Sequence, residues 1–299
     1  MTIIAQISDL HVQIPGKLAY GVVDTNTLVT EAIGHLSKLT PQPDIVVISG
    51  DLVQDGTIAE YELLQNMLSP LQCPIYLMPG NHDQRENLRQ VFASHAYLSN
   101  GTPHLSYVVE DYPIRMIMLD SILPGKGSGC IDSERLRWLK QTLLAAPETP
   151  TLMFMHHPPF ATGIPWMDRK PLQGHETLAT LISQHLQVQR ISCGHLHRTI
   201  YCSWAGTVVS SQPSVVHQSS IDFTPDSLSQ FVMEPTAYQL HLWTGENLVS
   251  HTLFVGEFDG PFRFSDSKKI VATERTAVSN SSLLMKSGSS PIARSDNKV

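Results

Sequence analysis

Asp44-Ile45-Val46-Val47-Ile48-Ser49-Gly50-Asp51 is the stretch from which the fold can be read. Four consecutive apolar residues, all branched at Cβ, make a buried strand, and Ser-Gly-Asp closes it abruptly. The same pattern recurs on either side. Ile3 to Ile7 runs into Asp9-Leu10-His11, and Pro74 to Met78 runs into Pro79-Gly80-Asn81-His82-Asp83. Between the first two strands, Leu28, Ala32, Leu36 and Leu39 lie at helical spacing, with Asp24 placed to cap the helix. A second helix is expected around Thr57 to Leu68. Strand, helix, strand, helix, strand in this order predicts βαβ units and a largely parallel sheet.

The rest of the chain continues in kind. Leu105 to Glu110 and Ile114 to Leu119 read as neighbouring strands, and Asp132 to Leu144 as an amphipathic helix. Thr151 to Met155 is a buried strand broken by His156-His157-Pro158-Pro159. Residues 160–173 read as loop, and Glu176 to Leu186 as helix. Val188 to Cys193 is a strand ended by Gly194-His195-Leu196-His197. From Thr199 to Phe254 the pattern is β-rich, and Gly245-Glu246-Asn247 predicts a hairpin between Tyr238–Trp243 and Leu248–Phe254. From 264 to 299 nine serines, no repeating apolar face and a local net charge of +3 predict a disordered or loosely docked tail.

With 299 residues, 41% hydrophobic and 16% charged, the chain can bury one large α/β domain or two small ones. A net charge of −7 without a basic stripe argues against a nucleic-acid partner. No apolar run is long enough to span a bilayer, and the first residues lack a signal-peptide pattern. The four cysteines form no C-x-x-C pair. They read as reduced thiols of a cytoplasmic protein, not as a structural zinc site.

Histidine carries the functional signal: six of the 14 fall in short motifs. Five polar clusters each follow a predicted strand: Asp9-x-His11, Gly50-Asp51, Gly80-Asn81-His82-Asp83, His156-His157-Pro158-Pro159 and Gly194-His195-x-His197. Each alone is more often a turn than a ligand. Ligands of open α/β sheets bind beyond the carboxyl ends of the strands, so five such clusters converge on one rim. Carboxylate, imidazole and amide oxygen suit Mn, Fe, Co or Zn better than Ca or Mg. A pair of such ions needs a shared ligand, and the carboxylate of Asp51 is the candidate.

Taken together these motifs resemble the calcineurin-like metallophosphoesterase family, whose D-x-H, G-D, G-N-H-[DE], H, G-H-x-H pattern is complete between residues 9 and 197. The resemblance implies a four-layer α/β/β/α sandwich with two mixed sheets. It implies that Asp9, His11, Asp51 and His197 hold one divalent metal (Fe, Mn, Zn or Co), and that Asp51, Asn81, His156 and His195 hold a second. His82 then faces the substrate and assists the phosphate or the leaving oxygen. On this reading residues 1–200 are the catalytic core. Residues 201–263 are a β-rich segment that completes the second sheet and offers an oligomer contact, as relatives form homo-oligomers. One departure stands out. Many members have Asp or Asn three residues after the bridging Asp, orienting the substrate-facing His; here it is Gln54, which can accept a hydrogen bond but cannot stabilise an imidazolium as a carboxylate would.

Within the family, Tyr20-Gly21 with Asp24 and Asn26, the stretch Tyr76 to Asp83, and Phe154 to Asp168 are most similar to bacterial glycerophosphodiesterases and, next, to class III cyclic nucleotide phosphodiesterases. The expected activity is hydrolysis of small phosphodiesters by metal-bound hydroxide, with glycerophosphodiesters ahead of cyclic AMP. For cyclic AMP, Trp166, Met167 and Phe160 are the candidate base platform. A phosphomonoesterase, a nuclease and an inactive scaffold rank lower; the scaffold predicts a missing ligand, and none is missing. Several assignments have plainer alternatives. His157 is an alternative to His156 as ligand, or a hydrogen-bonding support for it. His35, His185, His241 and His251 read as surface or satisfied core groups. His217 follows a possible strand and either lines the site or does not. Trp166-Met167-Asp168 is either a substrate lid or an apolar plug.

Overall fold

The computed structural model describes residues 1–99 and 101–264. Apart from Phe264, the Ser-rich tail lies outside the described residues. Met1–Gly256 forms one compact unit that contains every site residue. In chain order the strands are β1 (Thr2–Ile7), β2 (Ile45–Ser49), β3 (Ile75–Met78), β4 (Tyr107–Val109), β5 (Arg115–Leu119), β6 (Thr151–Met155), β7 (Val188–Cys193), β8 (Ile200–Trp204), β9 (Thr207–Ser211), β10 (Gln218–Ser219), β11 (Phe231–Val232), β12 (Ala237–Trp243) and β13 (Leu248–Phe254). The helices are α1 (Thr25–Leu36), α2 (Ile58–Leu68), α3 (Arg85–Val91), α4 (Ser133–Leu144), α5 (Pro165–Asp168) and α6 (His175–Ile182).

One sheet has the order β13-β12-β1-β2-β3 and the other β4-β5-β6-β7-β9-β8. Each mixes parallel and antiparallel pairs. Helices α1 to α3 pack together, as do α4 and α6, in the expected four-layer sandwich with two mixed sheets. Strands β1, β2, β5 and β6 are buried along their whole length, which is why they read as largely apolar runs. Parallel register levels the strand ends: Ile7 lies beside Ile48, Ser49 beside Met78, and Met155 beside Cys193. All five polar clusters therefore leave the sheets at one rim.

The β-rich segment does not serve the second sheet alone, nor does it stand apart from a 1–200 core. Strands β8 and β9 extend the second sheet, but the expected β12–β13 hairpin pairs antiparallel with β1 in the first. Without the hairpin, β1 would be an edge strand with apolar residues on both faces.

Between the sheets lies a buried polar seam rather than a purely apolar core. The Gln6 amide donates to Ser49 Oγ (2.8 Å) and its Oε1 meets His241 Nε2 (2.8 Å). The Gln212 amide crosses to Gln239 Oε1 (3.0 Å), and Arg190 reaches Ser250 Oγ, which also meets His241 Nδ1. His241 is thus a satisfied core group. Helix starts follow the sequence signals. Asp24 accepts from Thr27 N, Thr57 and Glu60 form a capping box, and Asp132 accepts from Arg135 N. Loop 160–173 contains the single turn α5, led by Pro165 at its first position.

Candidate metal centre and cleft

The backbone aims the motif side chains. Asp9, His11, Asp51, His195 and His197 all have positive φ, between 47° and 69°. This left-handed region is unfavourable for any residue but glycine, by about 1–3 kcal/mol each, and such strain gathers at functional sites. The turns are braced. His11 N donates to Asp51 O (3.0 Å), and His195 N donates to both Asp9 carboxylate oxygens (3.0 and 3.1 Å). Buried Asp83 accepts from Leu52 N, Gly80 N and the Tyr61 hydroxyl, tying the β2 turn to the β3 turn. Two motif glycines serve close approach: a Cβ on Gly80 would collide with the Asp51 backbone and carboxylate. One on Gly194 would collide with Ser8 Oγ and sit 2.8 Å from Ser49 O.

Two donor sets result. Ligand-capable atoms of Asp9, His11, Asp51 and His197 lie within 4.8 Å of one another, as do those of His156, His157 and His195. Hydrogen bonds fix the ring tautomers. His11 Nδ1 faces Gln54 Oε1 (2.9 Å) and His197 Nδ1 faces the His217 carbonyl (3.1 Å). Both oxygens are acceptors, so each Nδ1 carries the proton and each Nε2 presents a lone pair. Those two Nε2 atoms are 3.2 Å apart, with Asp9 Oδ1 3.4 Å from His197 Nε2 and Asp51 Oδ2 3.7 Å from His11 Nε2. His156 repeats the arrangement. Its Nδ1 donates to Ser49 O (2.9 Å), and its Nε2 lies 3.3 Å from both Asp51 Oδ2 and Asn81 Oδ1. Lone pairs and carboxylates converge with nothing positive among them. Only a cation or a proton relieves that, so the residues fit a metal. Asp51 Oδ2 reaches toward both sets, which supports the bridging role.

In metal-free form the protons show the same tension. Burial works to lower the His156 value, but the Asp51 and Asp9 carboxylates outweigh it and lift it to about 9. Burial works to raise Asp9, yet His197 and His156 hold it at about 2. His195, disfavoured by burial and by His156, falls to about 4. A proton between His156 and Asp51 occupies the place a cation would take.

His82 N donates to Asp51 Oδ1 (2.8 Å), and its ring Nδ1 donates to the Gln54 main-chain carbonyl (2.8 Å). The Gln54 departure is thereby explained: its backbone orients His82 and its side chain orients His11. His82 lines a cleft of about 320 Å³ with Tyr20, Trp166, His217 and Phe231. His217 does line the site; its ring lies 4.5 Å from that of His197, and its buried Nδ1 has no hydrogen-bond partner among the described residues. Burial and His197 press its value down to about 2. His157 Nδ1 meets Ser121 Oγ (2.8 Å), and its ring lies 4.6 Å from that of His195. It has no carboxylate partner among the described residues, which favours His156 as ligand. Trp166 walls the cleft, while Asp168 caps its own loop through Thr162 and Gly163. Phe160 packs against the core and lines a cavity of about 110 Å³ that shares Met167 with the part of the cleft walled by Trp166. Ser219, Ser229, Gln230 and Phe231 also line the cleft; Ser219 and Phe231 sit on the two-residue strands β10 and β11, too short to leave a sequence pattern.

The fold and this rim define a class: residues 2–199 match the calcineurin-like phosphoesterase model, and the chain belongs to that family. More particularly, it is 42% identical over 268 residues to a probable glycerophosphodiester phosphodiesterase of Arcobacter nitrofigilis, covering 89% of this chain and 98% of that one. It is 27% identical over 234 residues to the 3',5'-cyclic adenosine monophosphate phosphodiesterase of Escherichia coli K12, covering 78% and 82%. Among solved structures, a dimetal phosphatase from Danio rerio shares the fold. Its TM-score is 0.59 at 16% identity, over 85% of this chain and 99% of that one.

Proposed function

We propose that this chain is a two-metal phosphodiesterase that hydrolyses small phosphodiesters, glycerophosphodiesters foremost. The observation that carries the reading is the pair of lone-pair-rich donor sets at the cleft, with Asp51 Oδ2 3.3 Å from His156 Nε2 and 3.7 Å from His11 Nε2, and His82 beside them. Asp9, His11, Asp51 and His197 would hold one divalent ion, and Asp51, Asn81, His156 and His195 the other. Bound there, Fe, Mn, Zn or Co supplies hydroxide near neutral pH and neutralises phosphoryl oxygens. His82 keeps Nδ1–H on the Gln54 carbonyl, so its Nε2 faces the substrate; only the doubly protonated ring carries a proton there, which it would donate to a phosphoryl oxygen or pass to the departing alkoxide, leaving the neutral ring. Tyr20, Ser219 and Gln230 offer hydroxyl and amide partners for a polyol arm. The similarity to a probable glycerophosphodiesterase, at higher identity and coverage than to the cyclic AMP enzyme, supports the same ranking.

The experiment compares kcat/KM for glycerophosphoglycerol, cyclic AMP and a simple phosphomonoester with one metal-loaded preparation. Chelation should abolish turnover, and Mn, Co or Zn should restore it. Preference for cyclic AMP would reverse the ranking; preference for the monoester, or full turnover after metal removal, would refute the diesterase mechanism. We place the enzyme in the cytoplasm as a homo-oligomer, the latter checked by light scattering. Among the described residues no helix is long and apolar enough to cross a membrane.

A further inference from the structure

The cleft above Asn81, His82 and His195 divides around Trp166. One lobe, of about 320 Å³, is walled by Tyr20, His217, Ser219, Gln230 and Phe231. The other, of about 410 Å³, is walled by Gly127, Met167, Arg169, Lys170 and Leu196. A phosphodiester has two arms. With phosphorus at the shared floor, each arm takes one lobe.

The lobes differ in charge. The first carries no lysine or arginine, and its Tyr20 and Phe231 rings lie 5.1 Å apart. The second carries two full cations. Among the described residues neither Arg169 nor Lys170 has a carboxylate within ion-pair distance; the cation–carboxylate pairs of lysine and arginine are elsewhere. The adjacent Asp168 is not available to them. Its Oδ1 accepts from Thr162 N (2.7 Å) and Thr162 Oγ1 (2.8 Å), and its Oδ2 accepts from Gly163 N (2.9 Å). The Arg169 guanidinium donates to the Ser227 carbonyl (2.6 Å), a neutral acceptor that holds the group in place without cancelling its charge. Ser227 Oγ also accepts from Trp166 N (3.3 Å), so one residue anchors both the divider and the cation. Other described lysines and arginines are also unpaired; what sets Arg169 and Lys170 apart is that they stand on the wall of the cleft, beside the reaction centre.

We infer that the Arg169–Lys170 lobe receives a second anionic group, carboxylate or phosphate, on the alcohol arm of the diester, while the neutral glycerol arm lies toward Tyr20 and Phe231. The substrate class is then glycerophosphodiesters with an anionic head group, and a cationic head such as ethanolamine is disfavoured by like charge. This rests on the diesterase reading above.

The test uses the full, metal-loaded chain and four glycerophosphodiesters: of glycerol (neutral), ethanolamine (cationic), glyceric acid (carboxylate) and glycerol 3-phosphate (phosphate). The expected kcat/KM for an anionic arm exceeds that for the neutral arm by about tenfold at low salt, and the excess shrinks as ionic strength rises. The two anionic arms show whether carboxylate or phosphate is preferred. Lys170→Glu should invert the anionic-to-neutral ratio and Lys170→Arg should retain it. Equal kcat/KM for all arms in the natural chain, or a ratio unmoved by Lys170→Glu, overturns the inference while leaving the diesterase intact. Failure to hydrolyse any of the four overturns both.

Discussion

Gln54 shows what a single residue does here. Its side chain fixes the proton of His11 on Nδ1, and its carbonyl fixes that of His82. Replacing the side chain leaves the second bond untouched. Gln54→Leu should therefore lower metal affinity about 10–100-fold, read by metal titration, without loss of a ligand. Asp51 and Asn81 should separate by stoichiometry. Because Asp51 Oδ2 faces both donor sets, Asp51→Ala should drop bound metal towards zero. Asn81→Ala should leave about one ion per chain, counted by elemental analysis. Equal occupancy in the two variants would contradict the bridge. Much of this scale was legible in the sequence, since the motif residues are the ones that converge. What was not legible is the division of labour within Gln54, because a sequence does not say whether a side chain or a backbone carbonyl makes the bond. Phe231 was hidden because β11 is only two residues long, and for His217 the sequence left open whether it lines the site.

At the scale of elements, sequence and structure part company at α3. Gln84 makes no side-chain cap, and of its seven residues only Leu88 is buried, so there was no periodicity to read. Its place depends on Arg85, whose guanidinium grips Asp120 at 2.6 and 2.8 Å. Burial works to raise the Asp120 carboxyl, but Arg85 and the Leu105 and Ile122 amides hold it below the usual carboxylate range. Asp120→Ala strands a mostly buried guanidinium and should cost about 3–5 kcal/mol, measured by denaturant unfolding. The pair's contribution is present above the ordinary carboxylate range and is lost only as pH falls through the depressed value. The well-read elements are those whose signals are local, such as the Thr57–Glu60 capping box and the apolar run of β2.

For the whole molecule, the order of strands along the chain was legible but their allocation to sheets was not. Nothing in the β12–β13 hairpin announces that it pairs with β1 rather than with β9; that follows from what β1 leaves uncovered. The polar seam between the sheets has a measurable signature. Burial, helped by Arg190, presses His241 down to about 3 from an ordinary 6.5, so the folded chain keeps it neutral. The unfolded chain binds that proton first, and stability should fall as pH drops from about 6.5 toward 3. Unfolding free energy measured against pH should show a slope smaller by about one proton in His241→Gln than in the natural chain. The left-handed backbone at Asp9, His11, Asp51, His195 and His197 reaches further still. Glycine at His11, His195 or His197 would relax the backbone, whereas at Asp9 and Asp51 it would also remove the acceptors of the His195 and His82 amides. The strained rim is therefore a place where this chain gives up robustness to hold ligand-capable side chains in position.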